Sequence, residues 1–127
     1  MALSRLPDAE LEIMQIIWKC SGSATSAIIM QKLEGKKDWA VTTVLNFLAR
    51  MVDRGFLTVH RNGKVNIYTP VISEEEYLVS ESKSFLERFH ENSLKSLVAS
   101  LYGGQEISRD DLEELKQYID EKVGEAV

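Results

Sequence analysis

Asn62-Gly63 stands between two β-prone stretches, residues 56–61 and residues 65–69. Both residues of the pair tolerate positive φ, which makes it the strongest short signal for a hairpin. Val65, Ile67 and Thr69 alternate with Asn66 and Tyr68, as a half-buried return strand requires. Pro70 has no amide proton to give to a further ladder bond. A two-stranded hairpin is marginal alone in water, so this one must pack against other elements.

Those elements lie upstream. Asp8 reads as an N-cap, because its carboxylate can accept from the free amides of a first turn. Leu11, Met14, Ile17 and Trp18 follow at spacings of three and four, the mark of a buried helix face. Ser21-Gly22-Ser23 ends that helix. A second helix is expected over residues 25–34, with Ile28, Ile29 and Leu33 apolar and Gly35 as its stop. A third is expected over residues 41–54. Advancing about 100° per residue puts Thr42, Thr43, Asn46, Ala49, Arg50 and Asp53 on one stripe. Val41, Val44, Leu45, Leu48, Met51 and Val52 fall opposite, with Phe47 at the margin. One stripe should be buried, and the other offers hydroxyls, an amide and a guanidinium.

Downstream of the hairpin the pattern is helical. Ser73 and Glu76 form a capping box, with Ile72 and Tyr77 as its hydrophobic staple. Asn92-Ser93 interrupts the helix and Gly103-Gly104 stops the next stretch. Ser108 and Asp111 open a last helix with a second box. Tyr77, Leu78, Phe85, Leu86, Phe89, Leu94, Leu97, Val98 and Leu101 mark one set of apolar faces. Leu112, Leu115, Tyr118, Ile119 and Val123 mark another. A stretch this short has too little core to cover them alone. Association with a second copy covers them most economically, and these residues, Tyr118 and Val123 apart, become the candidate dimer interface.

Charge divides at the same place. Residues 1–72 hold nine Lys/Arg against six Asp/Glu, a net of +3. Residues 73–127 hold six against fourteen, a net of −8. The whole-chain value of −5 would argue against a nucleic-acid partner, but the division suggests two jobs. No apolar run approaches the roughly 18 residues that span a membrane. The stretch from Met1 to Pro7 carries no apolar signal segment, so a cytoplasmic location is expected. Cys20 is the only cysteine, which excludes an intrachain disulfide and a thiolate metal cluster. His60 and His90 are too isolated in sequence for a metal site, and no activated nucleophile is legible. No cofactor and no enzymatic activity are expected.

Three helices followed by a hairpin form the winged helix-turn-helix plan. The chain therefore reads as mainly α with a small β-hairpin. Residues 1–72 form the winged-helix domain, and residues 73–127 form an all-helical dimerisation domain. In this plan the third helix enters the major groove of double-stranded DNA and the hairpin tip lies on the backbone. An Asn amide can pair with adenine and an Arg guanidinium with guanine. Thr42, Thr43, Asn46 and Arg50 are the candidate base or phosphate contacts on the third helix. Arg61, Asn62 and Lys64 are those on the wing. Trp39 is a further candidate, set to stack on a sugar or to pack on the core. Such wing contacts position a protein and carry affinity more than sequence preference. A different reading keeps the winged helix as a protein-interaction module without DNA, because fold alone does not settle function.

Several segments resemble the penicillinase-repressor family (the BlaI/MecI type). They are residues 6–18 (LPDAELEIMQIIW), 37–44 (KDWAVTTV), 48–57 (LARMVDRGFL), 92–98 (NSLKSLV) and 107–115 (ISRDDLEEL). The resemblance implies a bacterial transcriptional repressor that binds a palindromic operator as a homodimer. It also implies a membrane sensor-protease that cuts the C-terminal region when β-lactam is present. The family's resistance members carry an Asn-Phe cleavage pair at a position where this chain has Ser100-Leu101. That pair is the candidate cleavage region, and the inducing signal stays open between proteolysis, a directly bound small ligand and another input. Copper-responsive relatives carry a cysteine-rich C-terminal motif, which this chain lacks.

Overall fold

In the computed structural model, which describes residues 5–125, α1 runs over Asp8–Lys19. Residues 1–4 of the N-terminal stretch and residues 126–127 lie outside it. Pro7, not Asp8, occupies the N-cap of α1, and the cap makes no side-chain hydrogen bond. Asp8 is instead the first helical residue. With Glu10 it places acid in the first turn, where the helix dipole favours negative charge. The buried stripe of α1 is Glu10, Ile13, Met14 and Ile17, while Leu11 and Trp18 are half-buried at its edges.

After a tight bend at Gly22, Ala24–Thr25 form a two-residue strand, β1, and Thr25 then caps α2 (Ser26–Leu33). The Thr25 hydroxyl accepts from the Ile28 N–H at 3.2 Å. β1 carries no sequence signal, since two residues are too few to show a period. It exists because β3 (Val65–Pro70) offers it a free edge, pairing Ala24 with Tyr68 and Thr25 with Ile67. β2 (Leu57–Asn62) takes the other edge of β3, so the sheet is antiparallel in the order β1-β3-β2. Between α2 and the sheet, α3 spans Val41–Asp53 and ends at Gly55, whose φ of 85° suits a residue without a β-carbon.

The hairpin turn sits one residue later than its sequence suggests. Asn62 pairs with Val65, so the two turn residues are Gly63 and Lys64. Only Gly63 takes positive φ, at 67°. A two-residue turn with glycine first is of the type II′ kind, whose twist matches the strands. Asn62 thus remains a strand residue and Lys64 moves to the tip.

The core lies between the helices and the sheet. Ile13, Met14 and Ile17 of α1 meet Ile29 and Leu33 of α2 and Val44, Leu48 and Met51 of α3. Phe56, Leu57 and Tyr68 close it from the sheet side. The start of α4 (Glu74–His90) belongs to the same core. Ser73 and Glu76 make the expected capping box, with the Glu76 amide donating to the Ser73 hydroxyl at 3.1 Å and the Ser73 amide donating to Oε1 of Glu76 at 3.2 Å. The box fixes where α4 begins and so delivers Tyr77 inward, 3% exposed. Its hydroxyl oxygen accepts from the Leu6 N–H at 2.9 Å, and its ring lies 5.7 Å from that of Trp18. The Trp18 indole N–H in turn donates to the Ile72 carbonyl at 2.9 Å.

The chain forms two compact units, divided between Glu81 and Ser82. The second unit contains the rest of α4, then α5 (Leu94–Gly103) and α6 (Arg109–Glu125). Glu91 and Asn92, with φ of 49° and 65°, break α4 from α5. Ser93 caps α5 by accepting from the Ser96 N–H at 3.0 Å. Ser108 and Asp111 form the second capping box at the start of α6, with bonds of 2.7 and 3.1 Å. No helix among the described residues is long and apolar enough to cross a membrane.

Candidate nucleic-acid interface

The exposed side of α3 is the part of the first unit that local sequence left polar. Thr42, Asn46, Ala49, Arg50 and Asp53 are exposed and Thr43 is half-buried. Val44, Leu48 and Met51 are fully buried beneath them. The buried stripe is narrower than its apolar residues suggest. Val41 is 53% and Leu45 37% exposed, so both join the outer face instead of the core. Three positions on a helix suffice to seat it against α1 and the sheet, and the next apolar residues overhang. Methyl-bearing side chains on such a face can meet thymine methyl groups, beside the polar groups that read base edges.

The amino end of α3 is also open. Ala40 is its N-cap and supplies no side-chain acceptor. The first-turn amides are therefore free to meet an anion, as helix N-termini do with phosphate. No acid stands in that turn.

Trp39 lies half-buried against the core, its ring edge-on to Phe47 at 5.4 Å, with the Lys37 ammonium 5.7 Å from its centroid. Packing already engages the ring, and this explains why a tryptophan precedes the helix. Lys37 also pairs with Glu12 at 3.3 Å, which ties the approach to α3 onto α1.

On the wing, the Arg61 Nε–H donates to the Gly63 carbonyl at 3.0 Å. The bond ties the exposed Arg61 to the turn. Lys64 is exposed in the turn itself. From Lys36 to Lys64 there are six basic residues (Lys36, Lys37, Arg50, Arg54, Arg61, Lys64) and two acids (Asp38, Asp53). The local balance is positive on the segment that holds both α3 and the wing.

Glu10 is the residue that sequence reading missed. It is 1% exposed, and it faces Arg50 of α3 and Arg54, the C-cap of that helix. Its signal was present, since positions 10, 13, 14 and 17 follow the 3.6-residue period of α1, and a carboxylate on that stripe is anomalous.

The second unit presents apolar surface of a different kind. Phe89 is 61% and Leu94 54% exposed, and Phe85 and Ile119 are exposed as well. Leu86, Leu97, Val98, Leu101, Leu112 and Leu115 are half-buried. Leu94, Val98, Leu112, Leu115 and Ile119 line a groove of about 430 Å³ between α5 and α6. Leu78, also expected at the interface, is exposed on the part of α4 that belongs to the first unit. Tyr77, expected to contact a second copy, is instead spent in the core of the first unit, where its ring meets Trp18 and Phe56. Ser100-Leu101 lies inside α5, with the Ser100 carbonyl accepting from the Gly104 N–H at 3.0 Å.

Three helices, a three-stranded wing and an open polar face on the third helix define a winged helix-turn-helix protein. Residues 6–121 match the penicillinase repressor family, and the chain belongs to it. It is 35% identical over 119 residues to a penicillinase repressor of Bacillus licheniformis, covering 94% of this chain and 92% of that one. It is 26% identical over 117 residues to the methicillin resistance regulatory protein MecI of Staphylococcus aureus (strain N315), covering 92% and 94%. Among solved structures, it resembles the monomeric form of Bacillus licheniformis BlaI in complex with the blaP half-operator. There the identity is 35% and the TM-score 0.51, with 59% of this chain and 90% of that chain covered.

Proposed function

We propose that this chain is a bacterial transcriptional repressor that binds a palindromic operator as a homodimer. The observation that carries the reading is the α3–wing surface: an exposed Thr42-Asn46-Arg50 stripe, an uncapped positive helix end and a basic wing tip in one unit. α3 enters the major groove, where Asn46 and Arg50 meet base edges and Thr42 and Thr43 meet bases or phosphate. Arg61 and Lys64 hold the backbone, with Asn62 beside them. The half-operator complex of the related BlaI supports DNA as the partner. An acid-dominated surface around Thr42 and Asn46 would have favoured a protein partner; Asp53 is the sole acid on that stripe.

The second unit joins two copies through its uncovered apolar faces. Two reading helices then bind half-sites about one helical turn, or a multiple, apart. The protein works in the cytoplasm, without catalysis. Repression ends when the linkage between half-sites is lost. A cut at Ser100-Leu101 by a membrane sensor-protease does this, provided α5 opens there first. Each half-site is then bound separately, without the effective concentration that linkage supplies.

Selection of duplexes from genomic fragments, followed by gel shifts of the recovered sequence, tests the reading. Arg50→Ala and Asn46→Ala are each expected to weaken the selected duplex by about 1–3 kcal/mol and to relax preference at single base pairs. Equal loss on every sequence would remove them from base reading.

A further inference from the structure

Among the described residues, Glu10 is the one buried charged side chain. Oε1 has no hydrogen-bond partner among the described residues. The nearest cations are the Arg50 Nε, 3.9 Å from Oε2, and the Arg54 Nη1, 3.9 Å from Oε1. Both distances exceed hydrogen-bonding range, so attraction here is Coulombic. Burying a carboxylate on those terms is costly, and an apolar side chain would serve the α1–α3 packing better.

Arg50 is held from a second side. Its guanidinium lies 5.3 Å from the centroid of the Phe47 ring, one turn earlier on α3. Yet its side chain is 55% exposed on the stripe that carries Asn46. The guanidinium is thus bracketed by Phe47 and Glu10 and still open to solvent. A free arginine on a DNA-facing helix takes phosphate as readily as a base edge, and phosphate carries no sequence information. A carboxylate behind it opposes that excursion in two ways. It limits the reach of the side chain, and it offsets the charge that the phosphate attracts.

We propose that Glu10 is a positioning residue for base reading: its buried carboxylate keeps Arg50 poised for a base edge and withholds it from the backbone. The proposal rests on the reading that Arg50 contacts a base. Glu10 then sets sequence discrimination, while overall affinity stays with the wing and the helix end.

The test uses the full chain and two duplexes of equal length and composition, one selected by the unaltered protein from a random pool and one scrambled. Glu10→Gln keeps the shape and removes the charge. It is expected to lower the ratio of the two affinities about tenfold. The salt slope on the scrambled duplex should steepen by about 0.9 per bound copy, as the released Arg50 takes a phosphate. Arg50→Ala should lower the ratio as well, and adding Glu10→Gln to it should cause no further loss. An unchanged ratio in Glu10→Gln, with a lowered ratio in Arg50→Ala, overturns the role of Glu10 alone. An unchanged ratio in Arg50→Ala overturns base reading by Arg50 and the proposal with it. A measurement on the unaltered protein covers the case of a variant that does not fold. Relaxation of the side-chain Nε–H groups should find Arg50 more rigid than the exposed Arg109, and equal mobility overturns the proposal.

Discussion

From Leu6 to Tyr77 the chain buries fifteen apolar side chains, and from Ser82 to Glu125 it buries none. Both stretches form regular helices. The difference lies in what holds those helices in place. In the first unit, α1, α2, α3 and the sheet close over a shared interior. In the second, Ser93, Ser108 and Asp111 specify where α5 and α6 begin, yet none of their leucines is buried. Caps of this kind contribute about 1 kcal/mol each, and helices of 10 to 17 residues are marginal without tertiary packing. Local hydrogen bonds thus shape the second unit, and its uncovered apolar faces are what the proposed second copy would cover. Charge divides earlier in the chain, at residue 72, with a net of +3 before it and −8 after it.

The sharpest way to break this contrast is to put a charge into the open faces. Leu97→Asp is expected to yield monomer and to weaken the selected duplex by about 10²–10⁴-fold, the range that linkage supplies. Sedimentation and gel shifts would follow both effects; a protein already monomeric at micromolar concentration contradicts the dimer. Next in size is a core deletion. Leu48→Ala should destabilise the first unit by about 2–5 kcal/mol, read from its urea midpoint. Leu115→Ala, from a half-buried site, should cost clearly less in dilute monomer, and an equal cost would mean that the second unit has its own core.

Tyr77 sharpens the comparison from the first unit's side. Burial, the larger influence, together with the nearby Glu81 carboxylate, holds its hydroxyl above the ordinary value of 10.0, against the opposing Leu6 N–H bond. The fold therefore favours the neutral form. This stability is complete below pH about 10 and is lost as pH rises from there through the higher folded value. Tyr77→Phe should remove that alkaline loss. It should also cost about 1–3 kcal/mol at neutral pH, because the Leu6 amide loses its acceptor. Denaturant titrations at several pH values would read both, and an unchanged alkaline slope would contradict the assignment. The smallest effect belongs to Lys64→Ala. It should weaken all sequences alike and reduce the salt slope by about one unit per bound copy.

Much of this architecture was legible in the chain because its signals are local. The capping boxes at Ser73 and Ser108, the break at Asn92-Ser93 and the stop at Gly103-Gly104 depend on neighbours three or four residues away. The polar stripe of α3 was legible for the same reason. What escaped depended on distant partners. β1 exists only because β3 has a free edge. The turn shifted to Gly63-Lys64 because ladder register across the whole hairpin outweighs the preference of one dipeptide. Tyr77 looked like interface because its helix is amphipathic, and only the closure of Leu6, Trp18 and Phe56 around it assigns it to the core. Glu10 stood on the buried stripe as an anomaly, but its meaning lies in two arginines forty and more residues away.

The central claim is that α3 and the wing form a surface that reads double-stranded DNA, presented twice by a dimer. Sequencing the genomic fragments retained by the full chain tests it most directly. The account predicts a palindrome whose half-sites lie about one helical turn or a multiple apart, with binding that weakens steeply as salt rises. Retention without a shared sequence, or binding indifferent to salt, would contradict it.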